Sequence, residues 1–166
     1  MSFDPQAHMV ISGWKIFAHP LFLDQLEALV EQVESLRTRN LNTYRHKNPT
    51  QRLAAILKLA FEVIPQNPNR PEYRLGTTLG GKRKHWFRVK FFQQYRLFFR
   101  FHQESRIIVY AWVNDANTKR AYGSGRDAYR VFQKMLERGH PPEDWGALLA
   151  QAREEEERLR DACSRS

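Results

Sequence analysis

Two stretches of this 166-residue chain carry side chains whose types and spacing could act on a phosphodiester. In the first, His85-Trp-Phe-Arg-Val-Lys90 is followed by Tyr95-Arg-Leu-Phe-Phe-Arg100. Strand side chains alternate between faces, so Trp86, Arg88 and Lys90 share one face, joined by Arg96, Phe98 and Arg100 from the next strand. Basic groups hold phosphates and aromatic rings stack on unpaired bases, so this plate suits single-stranded RNA. The turn before it adds Lys82, Arg83 and Lys84. Exposed antiparallel strands often carry charge for solvation alone, but here neither strand carries an acid. The second stretch, Asn114-Asp115 and then Thr118-Lys119-Arg120-Ala-Tyr122, follows the last expected strand, where connecting loops commonly carry functional groups. It offers two cations and a phenol; it reads equally as a polar loop before a helix.

Other chemistries find less support. Gly76 to Lys82 fits the opening of a phosphate-cradling P-loop, but Arg83 stands where the magnesium-binding Ser or Thr belongs, and a strand follows instead of a helix. Gly123-Ser124-Gly125 lacks the spacing of a nucleophile elbow. The histidines His8, His19, His46, His85, His102 and His140 form no i, i+4 pair and have no cysteine nearby, so neither a metal nor another cofactor is expected. His85 alone opens the basic strand.

These groups need a scaffold, and the pattern outlines one. Trp14–Ala18 reads as a strand between Gly13 and Pro20. Pro20 suits a first helical turn, and Phe22, Leu26, Leu29, Val33 and Leu36 recur at helical spacing. After a basic connection, Pro49 opens a second helix with Leu53, Ile56, Leu57, Ala60, Phe61 and Ile64 inward, stopped by Pro65. Tyr73–Leu79 reads as a short strand. Trp86–Phe92, Tyr95–His102 and Arg106–Asn114 form a meander of β-branched and aromatic runs. Asp127–Arg138 reads as a helix ended by Gly139, and Pro141-Pro142 introduces one last charged helix. The fold class expected is α+β: a small, twisted, mostly antiparallel sheet with an N-terminal helix hairpin on one face and C-terminal helices. One domain over residues 1–166 is expected, with its core at about 14–150 and a charged helix and tail at 143–166.

Charge supports a polyanionic partner. The formal net charge is +9, and Arg70 to Arg106 holds ten of the Lys and Arg against two Glu, so the excess is concentrated in the middle. Asp24, Glu27, Glu31 and Glu34 make the first helix acidic, and Glu154 to Glu157 reads as a solvated acidic face. The lone Cys163 allows no internal disulfide. Met1 to Gly13 lacks the basic start and apolar core of a signal peptide, and no apolar run approaches the roughly 18 residues of a membrane span. A cytoplasmic protein without a membrane partner is expected.

The order of elements resembles the RelE superfamily of toxin nucleases. Longer strings resemble its YhaV branch, whose partners are PrlF antitoxins: Trp14 to Phe22, Arg52 to Ile56, His85 to Arg100, Ala111 to Asp115, Thr118 to Ser124 and Asp127 to Phe132. The resemblance implies an endoribonuclease that cuts messenger RNA, often on the ribosome, and is silenced by an antitoxin, with operator DNA reached through that complex. It also implies catalysis without a metal, the RNA 2′-hydroxyl attacking its own phosphate. The RelE basic-x-basic pair is matched by Arg88 and Lys90, its Tyr-Arg pair by Tyr95 and Arg96, and its tail by Lys119, Arg120 and Tyr122. Arg88 and Arg96 would then hold phosphate charge, with Lys90 and Arg120 steering the strand and Tyr122 or His85 accepting the proton. The glutamate base and the His-Tyr ending of other branches are absent. The competing reading is a non-catalytic nucleic-acid-binding module that acts as a corepressor with its antitoxin.

Overall fold

The computed structural model describes residues 8–121 and 124–166. Its five-stranded sheet has the order β1-β2-β5-β4-β3, with β1 Val10–Ile11, β2 Trp14–Ala18, β3 Phe87–Phe91, β4 Tyr95–His102 and β5 Ile107–Val113. All neighbours are antiparallel except β2 and β5, which run parallel. The fold is α+β with a mixed sheet. Strand β1 is an addition to the sequence reading. Ser12 and Gly13 both have positive φ, 52° and 82°, as the two-residue turns favoured in hairpins require. A Cβ on Gly13 would also come within 3.2 Å of the Arg106 guanidinium.

Helix α1, Pro20–Arg39, and α2, Asn48–Lys58, form the expected hairpin. The second continues through a π turn, Leu59–Val63, and a last 3-10 turn, Ile64–Gln66, that contains Pro65. Their apolar stripes meet Tyr95, Leu97, Phe99, Ile108 and Tyr110 on one sheet face. Tyr73–Leu79 is not a strand. Pro71–Tyr73 is a 3-10 turn, and only Arg74 bridges to Phe87, because Pro71 and Gly76 bend the segment away from the sheet edge.

The opposite sheet face departs furthest from expectation. Helices α3, Ala128–Glu137, and α4, Trp145–Arg153, lie on it and build a second core from Phe17, Trp86, Phe98, Trp112, Phe132 and Leu148. Phe98 stacks on Phe132 and Trp112, with ring centroids 4.2 and 5.9 Å away. Trp86 and Phe98 are 0% exposed, so they are core residues and not platforms for bases. The alternation was read correctly; the uncovered face was not, because the amphipathic α3 needed a sheet to cover.

The charged C-terminal segment is two helices. The chain breaks at Glu154-Glu155, and α5, Glu156–Arg165, returns to α1. Leu159 and Ala162 enter the first core, while Arg158 pairs with Asp24 and Glu27, and Arg165 with Glu34. The acids of α1 therefore hold α5, and Glu155 and Glu156 pair with Arg158 and Arg160. Neither acidic run is merely solvated.

His19 joins the two layers. Its Nδ1 accepts from the Leu21 amide as the cap of α1, and its ring bonds Gln151 of α4 at 2.6 Å. Burial is the main cause that lowers its pKa below 6.5, and His140 adds to it. Histidine with a depressed pKa contributes stability above 6.5 that is lost as pH falls through the folded value. Urea unfolding at pH 7.5 and 5.5 should show that loss, and His19→Asn, which can still cap, should reduce it. A second expectation follows from the covered face: Phe98→Ala should destabilise by about 3–5 kcal/mol in denaturant unfolding. An exposed ring would cost under ~0.5 kcal/mol.

Candidate active site

At the end of the sheet where β4 begins and β5 stops, three guanidinium groups converge on Tyr129. That residue stands in the first turn of α3, 8% exposed, with its ring against Phe98. Its hydroxyl accepts from Arg88 Nε and from Arg96 Nε, both at 2.9 Å. The guanidinium carbons of Arg120 and Arg96 lie 4.9 and 5.5 Å from the ring centroid, the geometry of cation–π attraction.

Backbone carbonyls hold the rest. Arg96 Nη1 donates to the Gln93 and Tyr95 carbonyls at 2.7 and 2.9 Å, and Arg88 Nη1 to those of Glu72 and Arg74. Carbonyls satisfy hydrogens without neutralising charge. Nη2 of Arg88 and of Arg96 has no hydrogen-bond partner among the described residues. Of the three, Arg120 is paired with a carboxylate, that of Asp127. Asp127 precedes α3 without capping it through its side chain, and instead also receives the Ala121 amide at 2.7 Å. Asn114, 3% exposed, accepts from the Arg96 amide and donates to the Gln94 and Thr118 carbonyls, tying the loop after β5 to the start of β4. Three cations beside one acid make a strong anion site.

The sequence candidates separate into groups. Arg88, Arg96 and Arg120 come together, and Lys90 stands directly across from Arg96 in register, on the same face. Lys119, Lys82 and Lys84 are exposed at the surface. Arg96 is 7% exposed and not on an open face, because Tyr129 and α3 cover it. Tyr122 lies outside the described residues.

His85, Arg83 and Arg100 form a second group around Glu143. Arg83 Nε bonds that carboxylate at 2.8 Å, and Arg100 donates to the Glu143 carbonyl from between the rings of Trp86 and Trp145. His85 Nε2 is buried without a partner. Burial, then the Arg100 charge, lowers its pKa, so the imidazole is neutral at pH 7. Sequence reasoning missed Tyr129 and Asp127 as site residues, and had Asn114 only as the start of the second cluster. Asp127 read as a helix start, yet an acid soon after a Lys-Arg pair was a usable signal. Among the described residues no group of His, Cys, Asp or Glu is placed to hold a metal, and no helix is long and apolar enough to cross a membrane.

A family model described as a toxin with endonuclease activity, of a toxin–antitoxin system, matches residues 16–153. This chain belongs to the YhaV toxin family. It is 47% identical over 146 residues to the ribonuclease toxin YhaV of Escherichia coli K12, covering 87% of this chain and 95% of the relative. It is 46% identical, with the same coverage, to toxin YhaV of Escherichia coli O6:H1. No solved structure matches. Membership makes the chain the toxin partner of an antitoxin, with endonuclease activity.

The buried cluster sets a stability expectation. Tyr129→Phe removes the acceptor shared by two guanidiniums and should cost about 1–3 kcal/mol. Arg96→Ala should cost a similar amount, in contrast to the near-neutral change of an exposed arginine. Denaturant unfolding of both variants measures this.

Proposed function

We propose that this YhaV-family chain, one toxin domain of RelE-like architecture, is an endoribonuclease that cuts messenger RNA at the Arg88–Arg96–Arg120 cluster. The observation that carries the reading is the pair of guanidiniums sharing Tyr129 while each keeps an Nη2 edge for phosphate oxygens. The ribonuclease name of the relative from Escherichia coli K12 supports RNA as the substrate.

The reaction under this reading needs no group beyond the chain. The RNA 2′-oxygen attacks the neighbouring phosphorus, the P–O5′ bond breaks, and the products are a 2′,3′-cyclic phosphate and a 5′-hydroxyl. One proton leaves the 2′-hydroxyl and one reaches the departing 5′-oxygen. Arg88 and Arg96 stabilise the charge that builds on the non-bridging oxygens, in a site already organised before substrate arrives. Lys90 and Lys119 draw the strand in, with Lys82 and Lys84 lengthening the electrostatic track. Proton transfer falls to Tyr122 under this reading, with His85 the second candidate: its neutral ring can accept a proton, but it stands in the group around Glu143 and not in the arginine cluster.

The partners are messenger RNA, on the ribosome, and a PrlF-like antitoxin, with operator DNA approached through the toxin–antitoxin complex. The cytoplasm is where these meet.

Cleavage by the purified chain should persist in excess chelator and yield cyclic phosphate ends. Arg88→Ala should lower the single-turnover rate by roughly 10²–10³-fold, the scale of losing one transition-state donor. Lys82→Ala should chiefly weaken binding and flatten its salt dependence. Activity on ribosome-free RNA that EDTA abolishes and magnesium restores would overturn the mechanism. Comparing pH–rate profiles of His85→Gln and Tyr122→Phe identifies the proton acceptor, since only loss of the true base removes the acid-side limb.

A further inference from the structure

On the other face of the same sheet end, α1, α2 and the residues after β5 enclose a cavity of about 200 Å³. Its walls include Arg52, Tyr95, Asn114, Asp115, Gln25 and Leu29. Arg52 is 8% exposed, and its guanidinium lies 5.1 Å from the centroid of the Tyr95 ring. Its hydrogen bond goes to the neutral Tyr95 hydroxyl at 3.2 Å, its Nε has no partner, and it forms no ion pair among the described residues. A buried cation with so little compensation is costly unless something else meets it. Asp115 lines the same cavity, with Oδ1 accepting from the Asn117 amide and the Thr118 hydroxyl. A cation and an anion therefore face one cavity without touching, between an aromatic ring and apolar Leu29, Ile56 and Val113.

We propose that this cavity receives one unpaired guanine base of the RNA next to the scissile phosphate. This rests on the nuclease reading above. A flat heterocycle suits the aromatic and aliphatic walls. Guanine carries two acceptors on one edge, which arginine binds best among base contacts, and donors on the adjoining edge, which a carboxylate accepts. A phosphate would meet Arg52 but be repelled by Asp115. The cavity lies back to back with the guanidinium cluster at the same end of the sheet. Tyr95 lines it while the next residue, Arg96, reaches Tyr129 on the far face, and Asn114 lines it while accepting the Arg96 amide. In this proposal a strand whose phosphate rests on Arg96 turns round the sheet end to reach the rim.

The test uses two measurements on the full chain. The four nucleoside 5′-monophosphates are titrated separately while methyl signals of Leu29, Ile56 and Val113 are followed. The guanine nucleotide should shift them at a concentration lower by roughly five- to a hundred-fold than the other three. Asp115→Asn keeps the Oδ1 acceptor for the loop, so its melting temperature should hold while the preference is lost. Arg52→Lys should weaken the preference as well. Equal shifts with all four nucleotides, or none at these methyls, overturn the proposal. The second measurement sequences the ends cut from mixed RNA. Guanine enriched beside the cut in the wild type, and lost in Asp115→Asn, supports the pocket. Cutting with even base use overturns the pocket and leaves the nuclease reading intact. If no RNA is cut either with or without ribosomes, the nuclease reading falls, and the nucleotide titration alone decides the pocket.

Discussion

Guanidinium groups repel one another, so three of them stay together in a partly dry site only where neighbouring atoms absorb the charge. Here one phenol takes the central share. The Tyr129 hydroxyl accepts two of the three, and its ring faces Arg96 and Arg120. Hydrogen bonds to charged groups contribute roughly 1.5–3 kcal/mol each, enough to hold like charges against their repulsion. Moving the phenol by an ångström would break both of its hydrogen bonds and leave the two side chains held by backbone carbonyls alone. The position of α3 therefore sets the site, and that position follows from Phe132 packing between Phe98, Trp86 and Trp112. The apolar core of the second face and the polar cluster at its edge are one construction.

The other end of the chain explains why the site stays positive. An acidic helix beside a basic cluster would neutralise it, yet Asp24, Glu27 and Glu34 are engaged by Arg158 and Arg165. This pairing lays α5 over α1, and the acids are used on the face away from α3. An excess of positive charge is left around the sheet edge and turn, where Lys82, Lys84, Lys90 and Lys119 are exposed. A polyanion meets that field before it meets the arginines.

Much of this was legible in the residues. Strand alternation paired Tyr95, Leu97 and Phe99 with the helix hairpin and put Arg88 and Arg96 together on the other face. Pro20, Pro49, Pro65 and Gly139 marked helix ends because their backbone limits act locally. What stayed hidden depended on contacts distant in sequence. Nothing near Phe98 or Trp86 announces that α3 and α4 return to cover them, and a face of arginines and aromatics reads as open. Tyr129 drew no notice inside the helix read over Asp127–Arg138; its hydroxyl gains meaning only from Arg88 and Arg96, 41 and 33 residues away. The break at Glu154-Glu155 was masked by continuous helix formers.

The central claim is that Arg88 and Arg96, fixed by Tyr129, meet the scissile phosphate. Side-chain Nε–Hε NMR signals report it most directly, recorded while an RNA oligomer with 2′-deoxy substitution, which cannot be cut, is added. Both signals should be visible and slow to exchange in the free protein, because each Nε–H is bonded to the phenol. They should shift together as the oligomer binds and keep their protection in the complex. Binding that moves the lysine signals and leaves those of Arg88 and Arg96 unchanged would contradict the account.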